Sequence, residues 1–166
     1  MDQERKIEIL LVEDNPDHAE FTRRALLKGK LANTLMWVKD GMEALDYLHR
    51  RNAFQAHALK PLPGLVLLDI SLPKRNGFEV LKEMRSDPVL RLIPVIMLTT
   101  SGREEEIRKS FDLGANSFVT KPVQFNEFLE TIRQMEMYWV LVNRLPAPGV
   151  NPRVRAESDG SWEPAA

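Results

Sequence analysis

Residues 7–16 read Ile-Glu-Ile-Leu-Leu-Val-Glu-Asp-Asn-Pro. The first six are mostly apolar, and this pattern is typical of a short strand that is covered on both faces. Three polar residues then end the strand. Asn15 can cap a helix and Pro16 suits the first helical turn, which predicts a helix from Asp17 to about Lys28. The stretch therefore predicts a buried strand, a turn rich in carboxylates and a helix.

The same unit of strand and helix recurs four times further along the chain. Short apolar segments predict strands at Thr34 to Lys39, Gly64 to Asp69, Val95 to Leu98 and Ser117 to Val119. The predicted helices are one capped by Asp40 with Glu43, one containing Val80, Leu81 and Met84, one opened by Ser101 with Glu104, and one from Gln124 to about Asn143. Strict alternation with short connections favours a parallel α/β sheet with helices on both faces, in the doubly wound, flavodoxin-like order 2-1-3-4-5.

Composition along the chain indicates the domain boundaries. Residues 1–6 form a short polar N-terminal extension, and residues 7–142 contain the whole alternating pattern. Residues 143–166 contain four prolines, two glycines and few apolar side chains, which predicts a disordered tail. The connection from His49 to Pro63 is longer than usual and is predicted to be an ordered surface loop.

Overall composition narrows the class of function. The chain has 166 residues, with 24 acidic and 23 basic side chains, three histidines and no cysteine. One domain of this length leaves no room for a large fused effector or kinase module. The near-neutral charge argues against a nucleic-acid partner, and without cysteine there is no disulfide or thiolate metal site. The N-terminal segment is neither a signal peptide nor a membrane span, so we expect a cytoplasmic protein with no membrane partner.

Five polar side chains follow or end the predicted strands. Glu13 and Asp14 follow the first strand, Asp69 ends the third, Thr99 follows the fourth and Lys121 follows the fifth. The carboxyl ends of parallel strands lie along one edge of the sheet, so these side chains are expected to converge there. Crowded carboxylates repel each other unless a cation joins them, and oxygen ligands without histidine or cysteine favour Mg²⁺. Asp69, at the end of the central strand, is then the natural nucleophile for a phosphoryl group, whose oxygens Lys121 and Thr99 could bind.

These residues closely resemble the receiver domain of bacterial response regulators, the CheY-like family. The matching features are Glu13-Asp14, Asp69, Asn76-Gly77, Thr99 and Lys121-Pro122. Thirty positions separate Asp69 from Thr99, and twenty-two separate Thr99 from Lys121, as in that family. The resemblance covers about Lys6 to Val142. It implies two-component signalling, in which a histidine kinase donates a phosphoryl group to Asp69.

The resemblance also implies a role for each matching position. The implied ligands of Mg²⁺ are Glu13, Asp14, Asp69 and the backbone carbonyl of Ser71. Lys121 and Thr99 would bind the phosphoryl oxygens, and the peptide bond before Pro122 would be cis. Phe118 occupies the switch position, where many receivers have tyrosine. Ser71 and Ser101 occupy the positions at which the family tunes the rate of dephosphorylation.

Two features further resemble the single-domain regulators that partner phytochrome histidine kinases, including bacteriophytochromes: the extended loop from His49 to Pro63 and the apolar last helix. The final turns of this helix are apolar on all sides, whereas a helix packed on a sheet buries one side only. We therefore expect a symmetric homodimer through the last helix rather than a tail folded back on it. The predicted interface residues are Tyr138, Trp139, Leu141 and Val142.

The three histidines show no metal-binding motif. His18 lies in a helix start, His49 near a helix end and His57 in a loop. Each is expected to be on the surface or partly packed, and none is expected to be the phosphodonor.

Three other function classes compete with the phosphorylation switch. A haloacid-dehalogenase-like phosphohydrolase needs a second aspartate two residues after its nucleophile, where this chain has Ser71. A flavodoxin holds the FMN phosphate in a hydroxyl-rich loop, whereas the segment 13–17, with three carboxylates, would repel a phosphate. A phosphate-independent receiver-like scaffold or dimerisation module is disfavoured by the complete acidic set. We therefore expect a phosphoacceptor switch rather than an enzyme, which catalyses at most its own phosphorylation and dephosphorylation.

Overall fold

The structure is a computed structural model of the 166-residue chain. It describes residues 8–28, 34–100 and 102–121, together with six residues at 126–127, 130–131 and 133–134. The elements in chain order are β1 (Glu8–Val12), α1 (Pro16–Lys28), β2 (Thr34–Val38), α2 (Gly41–His49), β3 (Leu65–Asp69), α3 (Gly77–Ser86), β4 (Val95–Thr99), α4 (Glu104–Asp112) and β5 (Ser117–Thr120). Two short 3₁₀ helices, Asn52–His57 and Leu90–Leu92, precede β3 and β4.

The five strands form one parallel sheet in the order β2-β1-β3-β4-β5. This confirms the predicted doubly wound, flavodoxin-like α/β fold. β3 and β4 are buried along their whole length, as expected for central strands of a parallel sheet that helices cover on both sides. β2 forms one edge of the sheet. No helix among the described residues is both long and apolar enough to cross a membrane.

Two apolar layers lie on opposite faces of the sheet, because successive strand residues point to opposite sides. One layer joins the strands to α2 and α3, and its buried members include Leu10, Leu45, Leu68, Leu81 and Met97. The other joins the strands to α1, and its buried members include Leu11, Leu26, Leu67 and Leu98. Packing on both faces fixes the central strands, and with them the loops that leave their carboxyl ends.

The helix starts agree only in part with the predicted capping patterns. Asp40 caps α2 and accepts the N–H of Glu43 at 2.8 Å, but the Glu43 carboxylate binds the N–H of Lys39 rather than that of Asp40. The predicted helix start at Ser101 is wrong: α4 begins at Glu104, and its N-cap residue Arg103 makes no side-chain cap bond. Three consecutive glutamates in the first turn place negative charge at the positive end of the helix dipole instead.

The connection from His49 to Pro63 is an ordered loop, as predicted. The ring of Phe54 meets that of Tyr47 edge to face, with ring centroids 5.2 Å apart. The guanidinium of Arg50 lies 4.5 Å from the Tyr47 ring centroid and donates to the carbonyl of Pro61 at 2.8 Å. These contacts attach the loop to α2.

Several predictions concern residues outside the described part of the chain. They are the N-terminal extension 1–6, the tail 143–166, the serine at 101, the peptide bond before Pro122 and the four interface residues Tyr138, Trp139, Leu141 and Val142. Of the predicted last helix, over 124–143, the structure describes only the six residues at 126–127, 130–131 and 133–134. The homodimer therefore stays a prediction.

Candidate functional site

The carboxyl edge of the sheet brings the predicted site residues together. In the strand register Val12 lies beside Leu68, Asp69 beside Leu98, and Thr99 beside Thr120. All four of these strands run in the same direction, so the residues that follow β1, β3, β4 and β5 share one edge. The convergence expected from the order of the strands is confirmed.

Three carboxylates form the centre of the site. One oxygen each from Glu13, Asp14 and Asp69 can be chosen so that all three lie within 4.8 Å of one another. Glu13 and Asp69 are buried, with 1% and 7% of their surface exposed, whereas Asp14 is exposed. The cluster thus has two members that water solvates poorly and one that is open to solvent.

Lys121 connects the carboxylates to α1. Its side-chain nitrogen forms a hydrogen bond with Glu13, lies 3.5 Å from Oδ2 of Asp69 and lies 3.3 Å from Nδ1 of His18. The lysine side chain is only 9% exposed. One positive charge is therefore shared between two buried negative groups.

The surroundings of Asp69 favour its protonated form. Burial, which removes water from the carboxylate, is the main cause and raises the pKa of Asp69 to about 6. The Lys121 ammonium acts in the opposite direction, and the Glu13 carboxylate raises the pKa further. Since one lysine does not offset both effects, the site still favours a further positive charge near Asp69.

The donor set fits a hard divalent cation. The three carboxylate groups supply only oxygen ligands, and Mg²⁺ typically uses one or two carboxylates together with water and phosphate oxygens. The raised pKa of Asp69 agrees with this fit, because a cation nearby would favour the ionised form. Ser71, whose carbonyl is the fourth expected ligand, is exposed in the connection after β3.

Thr99 and Phe118 lie on the two strands beyond β3. Thr99 ends β4 with 3% of its surface exposed, and its carbonyl accepts the backbone N–H of Lys121. This bond fixes the start of the segment that carries the lysine. Phe118, in β5, is half-buried and packs against the apolar layer that joins the sheet to α2 and α3.

The connection after Asp69 returns closely to the strand end at Gly77. A Cβ atom at Gly77 would lie 2.3 Å from the carbonyl oxygen of Asp69, so only glycine fits there. Asn76 and Glu79 form a capping box at the start of α3, with the Asn76 side chain accepting the Glu79 N–H at 3.0 Å. The Asn76-Gly77 pair therefore sets how close α3 starts to the Asp69 carbonyl.

Two residues near the carboxylates were not predicted as part of the site. His18 is partly exposed, as expected, but it also lies against Lys121 and 3.7 Å from Oε1 of Glu13. The sequence places His18 four residues after Asp14, in the first turn of a predicted helix, and this spacing could have indicated that His18 lies near the carboxylates. Trp37 donates its indole N–H to the carbonyl of Glu13 at 2.7 Å. No sequence pattern indicates that contact, because it joins β2 to the turn that follows β1.

Comparison with known proteins identifies the family. Residues 9–133 match the response regulator receiver domain. The chain is 39% identical over 140 residues to the probable methanogenesis regulatory protein FilR2 of Methanothrix harundinacea, covering 84% of this chain and 88% of FilR2. It is 33% identical over 139 residues to the response regulator Rcp1 of Synechocystis, covering 84% of this chain and 92% of Rcp1.

Solved structures agree with this assignment. The bacteriophytochrome response regulator RtBRR is similar with a TM-score of 0.73 and 44% identity, covering 86% of each chain. The Mn(2+)-bound form of Rcp1 is similar with a TM-score of 0.69 and 33% identity, covering 85% of this chain and 99% of that one. The chain therefore belongs to the response regulator receiver family of two-component signalling proteins, and its relatives include the regulators of bacteriophytochromes.

Proposed function

We propose that Asp69 accepts a phosphoryl group from a histidine kinase and that the modified protein changes its protein partners. The observation that carries the proposal is the arrangement around Asp69, where Glu13, Asp14 and Lys121 surround a buried carboxylate at the end of the central strand. An aspartate in such a position is a nucleophile whose product is an acyl phosphate. Membership of the receiver family supports the same assignment.

The transfer is a displacement at phosphorus. A carboxylate oxygen of Asp69 forms a bond to the phosphorus atom, and the bond from phosphorus to the histidine nitrogen of the kinase breaks. The Lys121 ammonium, 3.5 Å from Asp69, is close enough to turn toward the new phosphoryl oxygens. The Thr99 hydroxyl, at the end of the adjacent strand, is the second donor that we assign to those oxygens.

We assign cation binding to Glu13, Asp14, Asp69 and the carbonyl of Ser71. Mg²⁺ bound there would neutralise negative charge on the phosphoryl oxygens, which is its usual part in phosphoryl transfer. Ionised carboxylates are needed for this role. The exposed Asp14 is accessible to a hydrated ion, whereas Glu13 is buried and forms a hydrogen bond with Lys121.

The response to phosphorylation would pass through Thr99 and Phe118 to the surface formed by α4, β5 and the last helix. Thr99 pairs with Thr120 of β5, and Phe118 lies two residues before Thr120. A shift of the threonine toward a phosphoryl group would therefore act on the segment that holds the half-buried phenylalanine. Hydrolysis of the acyl phosphate would return the protein to its first state, and Ser71 and Ser101 are the positions assigned to the rate of that step.

The test is intact-mass analysis after incubation with acetyl phosphate, with and without Mg²⁺. The wild type should gain one phosphoryl group only when Mg²⁺ is present, and the adduct should be lost on treatment with hydroxylamine. Asp69→Asn should gain none. Asp112→Asn, which removes an exposed carboxylate at the end of α4, serves as the matched control and should behave as the wild type. A wild type without an adduct would favour the phosphate-independent scaffold.

The partner is proposed to be a histidine kinase of the bacteriophytochrome type in the cytoplasm, because relatives with this fold are bacteriophytochrome response regulators. The homodimer through Tyr138, Trp139, Leu141 and Val142 is part of the same proposal. Gel filtration of Trp139→Glu should show a later elution volume than the wild type. An unchanged volume would argue against the dimer.

A further inference from the structure

We propose that Trp37 is a positioning residue that orients the turn of Glu13 and Asp14 for cation binding. The inference rests on the proposed use of these carboxylates as cation ligands. It concerns an aromatic residue on the edge strand β2, to which the receiver assignment gives no role. Its indole nitrogen donates a hydrogen bond of 2.7 Å to the carbonyl oxygen of Glu13.

β2 holds Glu13 through both of its backbone polar groups. The N–H of Glu13 donates to the carbonyl of Val38 at 3.1 Å, which continues the pairing of β1 with β2 by one residue. The carbonyl of Glu13 lies past the end of this ladder and is bound by the side chain of Trp37 instead. The indole therefore extends the pairing of the two strands into the turn.

The Trp37 bond also acts on Asp14. The carbonyl of Glu13 and the N–H of Asp14 belong to one planar peptide unit, so a hydrogen bond to that carbonyl fixes the orientation of both. The Glu13 side chain has its own restraints, since it is buried against Lys121 and accepts the N–H of Asn15 at 3.2 Å. Asp14 is exposed, so the restraint that Trp37 places on it acts on its backbone N–H, from which its side chain extends.

The indole of Trp37 makes two different contacts, one through its N–H with Glu13 and one through its ring face with Lys39. Trp37 keeps 36% of its surface exposed on an edge strand, and the Lys39 ammonium lies 5.5 Å from the ring centroid. A phenylalanine in its place would keep an aromatic ring beside the lysine, but it would lose the donor together with the second ring of the indole. The contact with the lysine can be tested separately at Lys39.

The experiment measures Mn²⁺ binding by the loss of the free-ion electron paramagnetic resonance signal, and Mg²⁺ binding by competition. Trp37→Phe should raise the dissociation constants of both ions by roughly three- to tenfold, the size expected for one lost hydrogen bond. Lys39→Met keeps the indole N–H and should stay within twofold of the wild type. Unfolding of all three proteins in EDTA checks that the fold is unchanged.

The possible outcomes separate this inference from the proposed function. A wild type that binds neither ion contradicts the use of the carboxylates as ligands. A wild type that binds both ions, with a folded Trp37→Phe of equal affinity, overturns the role of Trp37 alone. Should the variant fail to fold, the assigned indole N–H resonance of Trp37 in the wild type provides a second measurement. It should shift with the same midpoint as cation binding, and a resonance that does not move at saturation contradicts the proposal.

Discussion

The side-chain nitrogen of Lys121 lies 3.5 Å from Oδ2 of Asp69, so the positive charge that follows the last strand faces the carboxylate at the end of the central one. The two groups come from positions that are far apart in sequence, and neither side chain is more than 10% exposed. The Lys121 charge lowers the pKa of Asp69, against the larger effect of burial. The ion pair therefore offsets part of the effect of burial and increases the ionised fraction of the carboxylate near neutral pH.

Removing this charge should raise the pKa of Asp69 above its value of about 6. We expect Lys121→Met to shift the carboxyl ¹³C titration of Asp69 to higher pH, measured in EDTA. Lys60→Met is the matched control, because Lys60 is exposed in the connection that enters β3 from the opposite edge of the sheet. An unchanged titration in Lys121→Met would contradict the charge pairing.

Asp69 should make the stability of the protein depend on pH. Its pKa is 3.8 in the unfolded reference and about 6 in the folded protein, so folding favours the protonated form. The contribution of protonated Asp69 to the free energy of unfolding is fully present below about pH 4 and is lost as the pH rises through 6. From pH 4 to pH 7.5, the free energy of unfolding of Asp69→Asn should rise relative to the wild type by about 2–3 kcal/mol. Urea unfolding in EDTA measures this, and a difference that shrinks over this range would show the opposite sign.

Magnesium should stabilise the folded protein through the carboxylate cluster. A ligand at 100 times its dissociation constant adds about 2.7 kcal/mol to the free energy of unfolding when only the folded state binds it. We expect this gain in the wild type and little of it in Asp14→Asn, because an exposed ligand is removed without disturbing the buried ones. Asp112→Asn should keep the full gain. Equal gains in all three proteins would place the bound ion elsewhere.

Arg85 should be a major contributor to stability away from the site. Its guanidinium donates to the carbonyls of Gly114, Arg91 and Ile93 and to the side chain of Asn116. Arg85→Met removes the donor of all four bonds, although the Asn116 oxygen still accepts the N–H of Val95. The substitution should lower the free energy of unfolding by about 2–4 kcal/mol. Arg24→Met, at an exposed ion pair in α1, should leave the denaturation midpoint unchanged. Equal effects of the two variants would exclude this role for Arg85.

The sequence was sufficient to predict the five strands, their order and the edge at which the site lies. Each strand is a short apolar run that ends at a polar residue, and this information is local. The order follows from alternation, since right-handed crossovers leave few arrangements of a parallel sheet. Glu13, Asp14, Asp69, Thr99 and Lys121 then had to share one edge. Their residue types were enough to indicate a cation and a phosphoryl group.

Tertiary structure decided the contacts between side chains from separate segments. The bond from Trp37 to Glu13, the place of His18 against Lys121 and the four acceptors of Arg85 depend on how strands and helices pack. The start of α4 was predicted wrongly for a local reason, because three adjacent glutamates favour the start of a helix that has no side-chain cap. Periodicity and capping patterns act over a few residues, whereas the burial that raises the pKa of Asp69 arises only when distant parts of the chain exclude water together.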